Sequence, residues 1–225
     1  MTLIAEQISK KYYRPTRNAS HFEAVKELDF ALEEGKLTEI TGRSGSGKST
    51  LLYMLSGLLK PSTGKVLLGG IDLYSLKDSE LSRLRNEKIG VIPQGQTGLF
   101  ALTVLQNVLV PAALYGDSER FEARARDLLS LVGISELASA KMSELSGGEM
   151  RRMAIARALL MNPEIIFADE PTDDLDDENT RAVLELLQKT ARTGKTVLLI
   201  THEASAAQYA DRIYRMDAGI LAGND

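Results

Sequence analysis

The 225 residues predict an α/β protein with a mostly parallel central sheet, an antiparallel β portion near the N-terminus and an inserted helical subdomain. Three observations carry this. Apolar runs of strand length at Leu37–Thr41, Ile165–Ala168 and Thr196–Thr201 each precede a helical pattern, as in parallel strands covered on both faces. Strand patterns of antiparallel character cluster before residue 72. The stretch from about Gln94 to Met142 is mostly helical and lies between the strands of the parallel sheet.

Taken in order, strands are expected at Leu3–Ser9, Phe22–Leu32, Leu37–Thr41, Lys65–Leu68, Ile89–Ile92, Ile165–Ala168, Thr196–Thr201 and Arg212–Met216. Helices are expected at Ser49–Leu59, ending near Pro61, and at Ser79–Glu87, Val104–Leu109, Glu119–Leu131, Gly148–Met161, Asp177–Thr190 and Glu203–Tyr209. The chain then reads as a single domain, 1–225, with a core from 1–93 and 162–225 and a helical subdomain at 94–161.

Gly42 to Thr50 read G-R-S-G-S-G-K-S-T, the phosphate-binding pattern G-x-x-x-x-G-K-[ST]. Gly42, Gly45 and Gly47 let the backbone curl, so that N–H groups of Arg43, Ser44, Ser46 and their neighbours turn inward towards phosphate oxygens. Lys48 supplies an ammonium for the β- and γ-phosphates, and the Ser49 hydroxyl can bind Mg²⁺. A strand precedes the loop and a helix follows it, which sets the phosphates on the positive end of that helix. The chain is therefore expected to be a P-loop NTPase.

Ile165-Ile166-Phe167-Ala168-Asp169-Glu170 is an apolar strand ending in two carboxylates. Beside a phosphate loop, Asp169 faces the metal and Glu170 orients, or takes a proton from, the attacking water. Leu145-Ser146-Gly147-Gly148-Glu149 opens a helix with free N–H donors and a hydroxyl, which makes a second anion site. It can serve the same γ-phosphate only if the chain folds back or a second copy supplies it.

Composition excludes several classes. There is no cysteine, so disulfides and thiol chemistry are out. His21 and His202 are the two histidines, too few for a histidine-rich metal site. A net charge of −4 argues against nucleic acid as a partner. Neither a signal peptide nor a run of about 20 apolar residues is legible. From Ile89 to Gly116 no residue is charged, and Val104, Leu105, Val108 and Leu109 have helical spacing. This segment reads either as subdomain core or as an apolar groove that docks another protein.

Together these elements resemble the nucleotide-binding subunits of ATP-binding cassette (ABC) transporters, over nearly the whole chain and in that family's order: 42–50, Gln94, 145–149, 165–170, Leu175-Asp176 and Thr201-His202. The run LSGGE-MRRMAIARAL is the most specific piece. The resemblance implies ATP and Mg²⁺ as cofactors and a second copy in an ATP sandwich. Lys48 and the loop through Thr50 hold the phosphates. Ser49 and Gln94 bind Mg²⁺ with support from Asp169. Glu170 is the base, and His202 contacts the γ-phosphate and the water. Ser146, Gly147, Gly148 and Glu149 close over the partner's ATP, and Asp176 lies in the loop that communicates across the dimer. Tyr12, with Tyr13 beside it, falls where the family stacks an aromatic on adenine.

Two positions and one acidic run depart from the family pattern. Glu149 replaces a glutamine, and Pro93 stands where an aromatic is common. The run Asp173 to Glu178 is unusually acidic. It reads as solvated charge at a helix N-terminus, or as a feature in which Asp173 or Asp174 repels phosphate across the dimer.

Within the family the chain looks most like the stand-alone subunits of the lipoprotein-release, macrolide-export, peptide-antibiotic-resistance and cell-division branch. Such a subunit is expected to lie in the cytoplasm, peripheral on the membrane through a permease docked near 89–116. The alternative is a soluble cassette ATPase acting in protein or cofactor assembly.

Overall fold

The computed structural model describes residues 2–14, 20–95, 97–173 and 175–223. Two sheets frame the chain. The first is antiparallel, in the order β2-β1-β4-β5, from β1 (Leu3–Arg14), β2 (Ser20–Leu32), β4 (Thr63–Leu68) and β5 (Ile71–Asp72). The second has the order β10-β9-β3-β8-β7-β6. It holds β3 (Leu37–Thr41), β6 (Ile89–Ile92), β7 (Ile165–Asp169), β8 (Thr196–Ile200), β9 (Arg212–Asp217) and β10 (Ile220–Gly223). All pairs in it are parallel except β9 with β10.

Strand alternation splits the core in two. Leu37, Ile166, Ala168, Val197 and Leu199 face one cluster, which also takes residues of α3 (Val104–Ala113), α4 (Ser118–Leu131), α5 (Gly147–Leu159) and α6 (Asp177–Arg192). Ile40, Ile165, Phe167, Leu198 and Ile200 face the other, with α1 (Lys48–Leu55) and the antiparallel sheet. Burial on both faces explains why β7 and β8 read as near-continuous apolar runs, whereas β3 buries Thr38 and Glu39 between Leu37 and Ile40. The remaining α-helix, α2 (Asp78–Lys88), leads into β6. Among the described residues no helix is long and apolar enough to cross a membrane.

Three expected helices differ. The first stops at Leu55 instead of Leu59, because Gly57 takes φ 74° and the N–H groups of Leu58 and Leu59 turn back to the Tyr53 carbonyl. The one expected at Val104–Leu109 runs on to Ala113, past Pro111, with Ala112 buried in the core. The segment expected as a helix at 203–209 is a 3₁₀ turn, Ala204–Tyr209.

β3 also carries a buried acid. Glu39 is buried, and its Oε2 has no partner among the described residues. Burial pushes its pKa from 4.5 up to about 6. Above that pH the folded chain holds an ionised carboxylate that the unfolded chain would keep in water. Near pH 4.5 much of that cost is gone. Glu39→Gln should therefore be more stable than the parent at pH 7.5, by on the order of 1–2 kcal/mol, and should lose most of that gain near pH 4.5. Urea unfolding at the two pH values checks this. An equal gain at both would contradict it.

Candidate functional site

The phosphate loop joins the C-terminal end of β3 to α1, and its shape is set by close backbone packing. Gly42 has φ 149°, and a Cβ there would lie 2.2 Å from the Met216 carbonyl. Gly47 has φ 109°, with the Ala24 carbonyl in the same relation at 2.2 Å. No side chain fits either place. Lys48 folds back over the loop and donates to the carbonyls of Gly42 at 2.8 Å and Arg43 at 3.1 Å.

Parallel pairing of β3 with β8 and of β8 with β7 brings the end of β7 to the loop. Ser49 Oγ donates to Asp169 Oδ1 at 3.1 Å. Asp169 is fully buried, and its Oδ2 lacks a partner among the described residues. Burial raises its pKa, with Ser49, Tyr53 and Lys48 opposing. Tyr53 is a residue that sequence reasoning missed. It stands one helical turn after Ser49 on α1, a spacing that aims both hydroxyls at one carboxylate.

Glu170 follows at φ 48°, a left-handed conformation that a glutamate adopts only when its surroundings impose it. The imposing contacts are visible. Its N–H donates to the Ile200 carbonyl at 2.9 Å. Its Oε2 accepts the His202 N–H at 3.2 Å and lies 3.0 Å from His202 Nδ1. Burial lifts the Glu170 pKa, His202 pulls it back, and Asp173 pushes it further up.

Lys48, Ser49, Glu170 and His202 border one cavity of about 490 Å³, and the expected metal residue Asp169 lies behind its wall, reached through Ser49. The cavity walls include Gly42, Ser44, Gly45, Gly47, Lys48, Ser49, Thr50, Gln94, Glu170, His202 and Tyr12. Three further wall residues were not foreseen there: Phe22, Ala24 and Asp173. Phe22 is the register partner of Tyr12 in the β1–β2 ribbon. Tyr12 lines the cavity, while Tyr13 packs edge-on against His21 instead. Asp173 stands in its own chain's cavity, 3.9 Å from His202 Nδ1. Asp174 lies outside the described residues.

Other expected site residues do not line this cavity. Arg43 opens instead on a neighbouring recess with Thr41, His202 and Arg215. Ser46 is buried beneath the loop. Asp176 caps α6 and accepts from Asn179 N and Nδ2 at 2.8 and 2.7 Å, bonds that hold its pKa low. Ser146 caps α5 in a capping box with Glu149, whose carboxylate accepts from Ser146 N at 2.7 Å. That bond holds the Glu149 pKa low. Gly147 and Gly148 form the first turn of α5, and none of 146–149 borders the cavity.

A curled glycine loop at a helix N-terminus, a buried aspartate beside it and a strained glutamate next in the chain define a nucleoside-triphosphate hydrolase. Comparison with known proteins narrows this class. The family described as ABC transporter matches residues 25–173. The lipoprotein-releasing system ATP-binding protein LolD of Aquifex aeolicus is 41% identical over 204 residues, covering 90% of this chain and 91% of that protein. The macrolide export ATP-binding/permease protein MacB of Rhodopseudomonas palustris is 40% identical over 89% of this chain but only 31% of its own length. The dimeric bacterial ABC transporter cassette MJ0796 superposes with a TM-score of 0.91 at 33% identity, covering 98% of both chains. The same cassette is also known as a post-hydrolysis dimer with ADP and phosphate, with a TM-score of 0.88. This chain belongs to the ABC transporter family and is an ATPase cassette.

Proposed function

We propose that this cassette powers a membrane complex by ATP-driven head-to-tail closure of two copies. One observation carries the reading: the site in a single chain is half-built. Lys48, Gln94, Glu170 and His202 share a cavity with Asp169 behind it, whereas Ser146 to Glu149 sit away from it. A second copy would supply the missing wall, as expected of a cassette whose solved relative is a dimer. Sedimentation of Glu170→Gln protein tests this. ATP should convert monomer to dimer, and a monomer at saturating ATP would refute it.

The residues suit Mg²⁺. Ser49 hydroxyl, Gln94 amide and Asp169 carboxylate offer hard oxygen ligands, and the buried Asp169 Oδ2 has no hydrogen-bond donor opposite it among the described residues, which leaves it free to face a cation. When bound, the ion supplies charge neutralisation between phosphate oxygens. The chain supplies the rest. Lys48 leaves the Gly42 and Arg43 carbonyls for the β- and γ-phosphates. Tyr12 and Phe22 flank the base. Glu170 takes the proton from water, and His202 holds the glutamate in place and faces the γ-phosphate. We take 94–161 as the helical part that presents Ser146, and 1–93 with 162–225 as the nucleotide core.

A permease would dock on the uncharged segment. Val104 and Val108 are buried, so this helix-spaced pair belongs to the core. The apolar exposure lies just before and just after α3. Phe100 is 63% and Leu114 70% exposed, with Leu99 and Tyr115 beside them. Two contiguous recesses meet at Leu114, Ile89 and Val91. LolD is named as part of a lipoprotein-releasing system and MacB as an export ATP-binding/permease protein, which supports this reading over an assembly ATPase. Leu114→Asp should abolish permease binding and leave ATPase activity within about twofold, since the side chain is on the surface. Retained binding in a pull-down would remove the docking assignment.

A further inference from the structure

The loop carrying Gln94 has left the sheet, since β6 ends at Ile92. Two arginines of α5 grip it from either side of Gln94. Arg151 donates to the Pro93 carbonyl at 2.9 Å. Arg157 donates to the Thr97 carbonyl at 2.9 Å and to Thr97 Oγ1 at 2.7 Å. Pro93 has no N–H, so its carbonyl is the only backbone handle it offers.

Arg151 is an expensive way to hold a loop. It is 5% exposed and has no ion pair among the described residues. A buried cation with neutral acceptors costs more than the packing of an apolar side chain would. Arg157 is half-buried, likewise without an ion pair among the described residues, and burial lowers its pKa. Stability alone does not account for two such groups.

The same helix reaches the other nucleotide-side loop. Arg152 donates to Asn179 Oδ1, and Asn179 donates in turn to both oxygens of Asp176. α5 begins at Ser146, its N-cap. One 13-residue rod therefore connects the Gln94 loop, the Asp176 loop and the 146–149 turn.

We propose that Arg151 is a positioning residue, a latch that makes the Gln94 loop and the 146–149 turn move as one body. Arg157 is its second point of attachment. Gln94 follows the occupancy of its own chain's cavity. Arg151 passes that position along α5, so an occupied chain offers Ser146 to the second copy at the angle closure requires. A fixed pivot on the Pro93 carbonyl suits this. The carbonyl stands directly before Gln94, and the guanidinium keeps its other N–H donors available as the loop shifts. This rests on the head-to-tail reading given above.

The test uses the full chain in the Glu170→Gln background, with Arg151→Met and Arg151→Lys. Three quantities are read: ATP affinity at protein concentrations where the chain is monomeric, the ATP-dependent dimerisation constant, and hydrogen exchange at amides 94–98. For Arg151→Met we expect ATP affinity within about threefold of the parent. Dimerisation should weaken at least about tenfold and exchange at 94–98 should quicken by a similar factor, with Arg151→Lys restoring most of both. Dimerisation within twofold of the parent overturns the latch. So does an equal loss of ATP affinity and dimerisation, which marks a general structural defect. If Arg151→Met fails to fold, Thr97→Val carries the comparison: it removes only the Arg157 side-chain acceptor, and about threefold weaker dimerisation is expected. No change in Thr97→Val then overturns the proposal. A parent that never dimerises refutes the head-to-tail reading separately, and the exchange comparison decides the latch by itself.

Discussion

Glu170→Gln should bind ATP with near-parental affinity and hydrolyse it about 10²–10⁴-fold more slowly, the range expected for loss of a general base. The geometry makes this substitution cleaner than most. Glutamine is isosteric, so the backbone bond from Glu170 N to the Ile200 carbonyl and the acceptor for the His202 N–H both survive. What disappears is the carboxylate's capacity to take a proton. The parent's pH dependence follows. The base works only when ionised, and burial together with Asp173 raises its pKa. Hydrolysis should therefore begin to fall, as pH drops, at a higher pH than an ordinary carboxylate would give. Single-turnover rates across pH check both points. Parental turnover by Glu170→Gln would remove the base assignment.

Lys48→Met is the second large effect, and it acts on binding. Without nucleotide the Lys48 ammonium is held by two loop carbonyls, of Gly42 and Arg43. Exchanging these for β- and γ-phosphate oxygens replaces neutral acceptors with charged ones. Methionine keeps the apolar stem in its buried position and removes the charge. Two charge-assisted bonds are lost, about 3 kcal/mol or more than 100-fold in ATP affinity. The loop should remain folded, because Gly42 and Gly47 pack on the Met216 and Ala24 carbonyls independently of Lys48. Calorimetric titration with ATP measures the loss. Affinity within threefold of the parent would show that the lysine does not reach phosphate.

The contrast between what was legible in the sequence and what was not follows the range of the forces involved. The phosphate loop is a local device: nine consecutive residues specify its turns, its cation and its helix, and neighbouring apolar runs specify the parallel strands. β7 is bounded as its hydrophobic run is, to within one residue, since burial on both faces leaves little ambiguity. Short elements were not legible. β5 has two residues and β10 four, too few to show alternation. α1 ends early because of a left-handed glycine that helical periodicity does not register.

Within the site, Phe22 and Asp173 reach the cavity through long-range geometry. Phe22 does so through the bulged register that sets it opposite Tyr12, and Asp173 through the turn that follows the strained Glu170. The uncharged segment carried two readings because it serves two faces: Val104 and Val108 turn inward, and Phe100 and Leu114 turn out. The arginine contacts of α5 span 58 and 60 residues of sequence and follow from no motif spacing.

The central claim is that this ATPase drives a membrane partner. Tagged Glu170→Gln protein, recovered from its native membranes with ATP and Mg²⁺, tests it most directly. The account predicts a membrane-spanning protein in stoichiometric amount with two copies of the cassette, absent when Leu114→Asp is added. Recovery from intact membranes of soluble proteins only, or of the cassette by itself, would contradict it and favour an assembly ATPase.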